Sequence, residues 1–246
     1  MKYIHLILCV SIACSYKLPD GIKLCHRSQK DFAECVGKNM RGGLGAFAPG
    51  YKEMGIPTLN PYFIEKLEIK PPSPDSSVAI HLTFTNLHVS GMTVTDIDHM
   101  EIDFDKGCSW VMDAVSPFII LDGEYTMDGK LLLFALNAHG KANVTQVNLR
   151  NRHSMWCEKY QKKGKTHIRF INYTMDMRPD NVLFEFTNLF PSNKDIENEI
   201  GKTLNENSLA IFNEIKAPVE QIFSTIHTQI ANQVLSKIPF DDIFLP

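Results

Sequence analysis

Between Asn207 and Ser236, apolar side chains recur at Ile211, Ile215, Val219, Ile222, Ile226, Ile230 and Val234. Every step is three or four residues, which places all of them in one stripe along a helix. Phe212, Phe223 and Leu235 widen the stripe, while Lys216, Glu220, Gln221, Thr228 and Gln229 sit away from it. Such a helix is a rod of about 45 Å at 1.5 Å per residue. Pro218 lies inside it and is expected to kink it. A rod of this length with a greasy face needs an equally long cover.

The cover is legible upstream. From Ile56 to Asn188 the periodicity changes from helical to alternating. Val78, Ile80, Leu82 and Phe84 share one face, and Ile102 with Phe104 and Phe118 with Ile120 repeat the pattern. So do Leu132, Phe134 and Leu136, then Ile168 with Phe170, and Val182 with Phe184 and Phe186. Asp122-Gly123, Asp128-Gly129 and Lys163-Gly164 are read as turns, so these segments are antiparallel strands joined by hairpins. The run Val78 to Ser90 extends about 43 Å at 3.3 Å per residue, which matches the rod. The fold class is therefore α+β: a long C-terminal helix wrapped by a highly curved antiparallel sheet.

Ser192, with Asp195 three residues later, is expected to cap a short helix carrying Ile196, Ile200 and Leu204. A break follows at Leu204-Asn205-Glu206-Asn207, and another short helix is expected from Asp31 to Met40. There is no internal repeat, low-complexity tract or linker, so residues 16–246 are read as one domain.

At the N-terminus Lys2, an apolar core from Ile4 to Ala13 and the small residues Ala13-Cys14-Ser15 describe a secretory signal peptide cut after Ser15. The apolar run is too short to span a bilayer. A secreted, extracellular protein without stable membrane insertion is expected. The formal charge of −3 disfavours nucleic acid and anionic membrane surfaces as partners. Basic residues crowd only around Lys163-Gly164, which reads as a solvated hairpin tip.

Four cysteines remain after Cys9 and Cys14 leave with the signal, and disulfides are expected in an oxidising compartment. Proximity favours Cys25 with Cys35, leaving Cys108 with Cys157, although sequence alone permits three connectivities. Asn143-Val144-Thr145 and Asn172-Tyr173-Thr174 are glycosylation sequons.

The search for chemistry returns little. G-x-S-x-G, H-E-x-x-H and C-x-x-C are all absent. His81 and His88 would face opposite sides of a regular strand, and the histidines form no close metal-ligand cluster. Asp96, Asp98, Glu101, Asp103 and Asp105 read as the solvent face of a strand. Neither an enzyme nor a cofactor is expected.

The chain resembles the insect takeout and juvenile hormone binding proteins over nearly its whole mature length. The resemblance begins with Leu18-Pro19, Cys25-His26-Arg27 and Cys35, and continues through Gly55-Ile56-Pro57 and Tyr125-Thr126-Met127-Asp128-Gly129-Lys130-Leu131-Leu132. It is strongest in Phe186-Thr187-Asn188-Leu189-Phe190, Leu204-Asn205-Glu206-Asn207 and Ile238-Pro239-Phe240-Asp241-Asp242-Ile243-Phe244. The paired N-terminal cysteines and the C-terminal motif look more like the takeout branch. The resemblance implies a tubular lipid-binding fold with an apolar tunnel that carries a small lipophilic ligand, a terpenoid hormone or similar isoprenoid. The family's shared disulfide matches Cys25 and Cys35. As a family, takeout-like proteins are linked to feeding, circadian output, chemosensation and hormone transport.

The ligand-tunnel candidates on the helix are Ile211, Ile215, Val219, Ile222, Ile226 and Ile230. Those from the sheet are Phe84, Phe104, Phe118, Phe134, Phe170 and Phe184. The expected partner is a small hydrophobic ligand bound by a monomer. The competing reading is a secreted protein-interaction module that uses the long amphipathic helix and has no ligand.

Overall fold

A computed structural model describes residues 16, 18–20, 22–71, 78–131 and 134–246. The expected signal peptide, residues 1–15, and the expected strand residue Leu132 lie outside the described residues. The chain begins with β1 (Cys25–His26), α1 (Phe32–Phe47), β2 (Tyr62–Ile69), β3 (Val78–Ser90) and β4 (Asp96–Asp103). The two longest strands, β5 (Ser109–Leu131) and β6 (Phe134–Lys162), come next, then β7 (Lys165–Arg178) and β8 (Asn181–Phe186). The C-terminal part is α2 (Lys194–Glu206), α3 (Ser208–Leu235), α4 (Phe240–Ile243) and β9 (Phe244–Leu245).

Strands β5 and β6 form the spine of a seven-stranded antiparallel sheet. Each changes partner along its length. The first part of β5 pairs with β4 and the rest with β3, while β6 pairs first with β8 and then with β7. At 29 residues β6 would run about 95 Å if straight, more than twice the length of α3. Such strands can stay on the helix only by coiling around it, which the right-handed twist of sheets favours.

Two expected turns are not turns. Asp122-Gly123 and Asp128-Gly129 lie inside β5. Their glycines let the neighbouring strand pass close: a Cβ on Gly129, at φ +126°, would lie 2.3 Å from the carbonyl oxygen of Ala79. Lys163-Gly164 is a turn, with φ of 52° and 75°, a pair of positive angles that suits a two-residue hairpin. His81 and His88 both face solvent, because a bulge between Thr85 and His88 shifts the alternation by one residue.

The helices refine the expectations. The cap of α2 is Asn193, not Ser192: its side chain accepts the N–H groups of Asp195 and Ile196 at 3.0 and 3.2 Å. The break before the rod falls at Asn207, and α3 continues through Pro218. Helix α1 runs seven residues beyond Met40, despite three glycines, because Leu44 and Phe47 continue a row begun by Val36 and Met40.

The N-terminal half of α3 is packed solid. Ile211, Phe212, Ile215 and Val219 are buried against the inner faces of the sheet and against Ile200 and Leu204 of α2. A second cluster gathers around Trp110, Phe170, Phe240 and Phe244, and contains the Cys25–Cys35 and Cys108–Cys157 disulfides. Ile222, Ile226, Ile230 and Val234, further along the rod's apolar stripe, are half-buried.

Candidate functional site

Between these packed regions lies a cavity of about 320 Å³. Its floor is the C-terminal half of α3, at Phe223, His227, Ile230, Ala231 and Val234. Its walls come from β5, β6 and β7, and α1 covers it through Val36, Met40, Leu44 and Phe47. Side chains of Met40, Met92, Met112, Met155, Met175 and Met177 line it, and thioethers adapt readily to irregular guests.

Inward positions alternate along each strand. On β5 the series Trp110, Met112, Ala114 and Ser116 gives way to Ile119 and Leu121 across Pro117 and Phe118, both of which face solvent. The switch falls where β5 leaves β4 for β3. This corrects the expectation for Phe118, which is 41% exposed: a one-residue change of parity turned it outward. Of the other expected tunnel residues, Phe170 and Ile230 line the cavity. Ile211, Ile215, Val219, Phe84 and Phe184 belong instead to the solid core, with Ile222, Ile226 and Phe134 packed on its margin. Phe104 sits behind the cavity wall, edge-on to Trp110 at 5.9 Å and to Phe240 at 4.8 Å. These departures share one cause. A helical stripe or an alternating strand marks what is buried, and does not mark where packing stops.

The polar members of the lining were not among the expected residues. Tyr173 Oη lies 2.8 Å from Nδ1 of His153, and its ring stacks on His227 with centroids 5.9 Å apart. Nδ1 of His227 donates to the carbonyl oxygen of Phe223 at 2.7 Å. Burial, and secondarily the nearby His227, drives the His153 pKa down to about 3. Burial also lowers that of His227, and raises that of the Tyr173 phenol. Both imidazoles are therefore neutral near pH 7. Two further cavity residues hold buried polar atoms without a partner, Trp110 at Nε1 and Asn151 at Oδ1. Among the described residues no cluster could hold a metal ion, and no helix is long and apolar enough to cross a membrane.

The tube closes where the edge of β7 meets α3. Asn232 accepts the N–H of Phe170 and donates to its carbonyl, and Glu220 accepts the N–H of Met177 at 2.7 Å. Between these clamps runs an outer groove lined by Thr174, Ala217, Gln221 and Thr225. Tyr173 and Met175 line both this groove and the inner cavity.

A long helix sleeved by coiled strands around a methionine-rich chamber that opens to solvent defines the tubular class of α+β lipid-binding folds. Residues 4–245 match the profile of the haemolymph juvenile hormone binding protein family, and the chain belongs to that family. The fold is also that of Takeout 1 from Epiphyas postvittana, with a TM-score of 0.81 and 20% identity over 92% of this chain and 100% of that one. The chain is similar to the circadian clock-controlled protein daywake of Drosophila yakuba, 20% identical over 95% of this chain and 90% of that protein. The Drosophila melanogaster daywake is 18% identical over the same shares of the two chains.

Proposed function

We propose that this protein is a secreted, non-catalytic carrier that shields a small lipophilic ligand, a juvenile hormone-like terpenoid or other isoprenoid, from water. The observation that carries this reading is the apolar chamber beside α3. Without a guest, about 320 Å³ of largely apolar lining is left empty or in contact with water, and either is unfavourable. A guest that buries about 400 Å² of apolar surface offsets this with roughly 10 kcal/mol, less the cost of ordering it. The family description, which names a hormone-binding protein of haemolymph, agrees with this reading.

The carrier acts as one unit of residues 16–246 after cleavage behind Ser15, as a monomer held by its two disulfides. Asn172, exposed on β7, and Asn143, on β6, are its glycosylation sites. Its physiological setting is circadian, feeding or chemosensory, and the clock-controlled relatives favour the first.

The test is organic extraction of the protein purified from secreting cells, read by mass spectrometry, with thermal melts in the presence of added isoprenoids. A co-purifying lipid and a ligand-dependent rise in melting temperature are expected. A protein that yields no lipid, and whose melt no isoprenoid moves, contradicts the reading.

A further inference from the structure

On the outer face of the sheet two large apolar side chains stand in water around one asparagine. Trp156 on β6 is 40% exposed, and Ile171 on β7, at 58%, is the most exposed large apolar residue among the described residues. Strands β6 and β7 pair antiparallel with Trp156 directly opposite Asn172, and both residues are exposed. Opposite residues on one face of such a pair have Cβ atoms about 5 Å apart, so the Asn172 amide and the indole are neighbours. The register shift between Trp156 and Cys157 brings in Ile171. Phe170 pairs with Cys157 and Asn172 with Trp156, which leaves Ile171 as the extra residue of a bulge. The bulge breaks the alternation, and Ile171 and Asn172, consecutive in the chain, both face solvent.

Asn172 is also the first residue of Asn172-Tyr173-Thr174, and Thr174 is exposed like it. An N-linked glycan begins with N-acetylglucosamine, a ring with a polar rim and faces made of C–H groups. Such a face is drawn to the electron-rich face of an aromatic ring. A sugar joined to the Asn172 nitrogen is held beside Trp156 by the strand pairing itself, so little further ordering is needed to bring the two together. It removes apolar surface of Trp156 and Ile171 from water. The other sequon is built differently. Asn143 is half-buried, donates to Asp122 at 3.2 Å and accepts from the Thr145 hydroxyl at 3.1 Å. Its cross-strand neighbours are the carboxylates Asp122 and Glu185, which offer a sugar no apolar face.

We infer that Asn172 carries an N-linked glycan whose first N-acetylglucosamine packs on Trp156 and Ile171, a cradle that Asn143 lacks. This rests on the secreted part of the reading above and specifies how its glycan is held.

The test uses the full chain with Asn143→Gln, secreted from mannosidase-inhibited mammalian cells, so that any glycan sits at Asn172 and can be shortened in two steps. Endoglycosidase H leaves the first N-acetylglucosamine, and peptide N-glycosidase F removes it. Peptide mass spectrometry is expected to find Asn172 occupied. The single-sugar form should melt with the intact glycoprotein, and the sugar-free form about 2–4 °C lower, the shift that one aromatic-sized contact makes in a chain of this length. With Trp156→Ala the step from single-sugar to sugar-free should shrink to under about 1 °C, whatever the starting melting temperature. The aspartate that the second enzyme leaves is common to both proteins and cancels. Acrylamide quenching gives a reading that needs no variant. The chain has two tryptophans and Trp110 is only 5% exposed, so quenching reports Trp156 and should rise when the last sugar goes. A secreted protein with Asn172 unmodified overturns the inference. So does a last-sugar step that Trp156→Ala leaves unchanged, or quenching indifferent to the sugar. Organic extraction of the same material reports on the carrier separately: absence of lipid ends that reading and not this one. A chain that is not secreted ends both.

Discussion

Asn232 on the long helix holds both polar groups of Phe170 on the edge strand, accepting its N–H at 2.9 Å and donating to its carbonyl at 2.9 Å. A free strand edge presents unpaired backbone, and here a helix side chain completes the ladder in place of another strand. Asn232→Ala removes both bonds and leaves partly buried backbone groups unmatched. It should lower stability by about 1–3 kcal/mol, read as a fall in melting temperature. Asn232→Asp keeps only the acceptor, and should fall between the two.

The Cys108–Cys157 disulfide links residues 49 apart, whereas Cys25–Cys35 spans 10. Chain entropy makes the longer loop the more stabilising, about 4 kcal/mol against roughly 3 kcal/mol. Replacing both cysteines of each pair by serine should give losses in that order in denaturant titrations.

Acid should weaken the fold before its carboxylates protonate. His153 and His227 have folded pKa values below the ordinary 6.5, so the unfolded chain binds more protons as pH falls below that value. Stability is then full above pH 6.5 and is lost as pH drops, for His153 down to about pH 3. Each histidine contributes a slope of about 1.4 kcal/mol per pH unit. Urea titrations at pH 7.5, 6.0 and 5.0 should show the loss, and His153→Gln should reduce the slope by about half.

The solid half and the hollow half of the tube should respond differently to truncation. Ile200 is fully buried on the inner face of α2, away from the cavity. Ile200→Ala should cost about 2–5 kcal/mol and leave affinity for the fluorescent probe N-phenyl-1-naphthylamine within twofold, as measured by paired melts and fluorescence titration.

Much of this architecture was legible in the sequence. The alternation of β3 from Val78 to Ser90 and the 3.6-residue stripe of α3 are strong periodic signals, and both elements stand within a residue of where they were read. The span of β5 was not legible, since Asp122-Gly123 and Asp128-Gly129 look like turns locally. They serve the close approach of β3, a tertiary fact. The chamber was harder still. Its polar heart joins His153, Tyr173 and His227 from three elements, and only the row Phe223, His227, Ala231, in steps of four, hinted that a histidine faces inward. A cavity is a place where packing fails to close, and no residue type encodes that by itself.

The central claim is that the chamber beside Ala231, and not some outer surface, holds the ligand. Ala231→Phe adds a ring to the cavity floor, at the margin of the Trp110–Phe170 cluster and apart from the Ile211–Val219 core. Titration of N-phenyl-1-naphthylamine into both proteins tests the claim most directly. Saturable binding by the unmodified protein, weakened at least tenfold in an Ala231→Phe variant that melts within a few degrees of it, is the predicted result. Undiminished binding by the folded variant would place the ligand elsewhere and contradict the account.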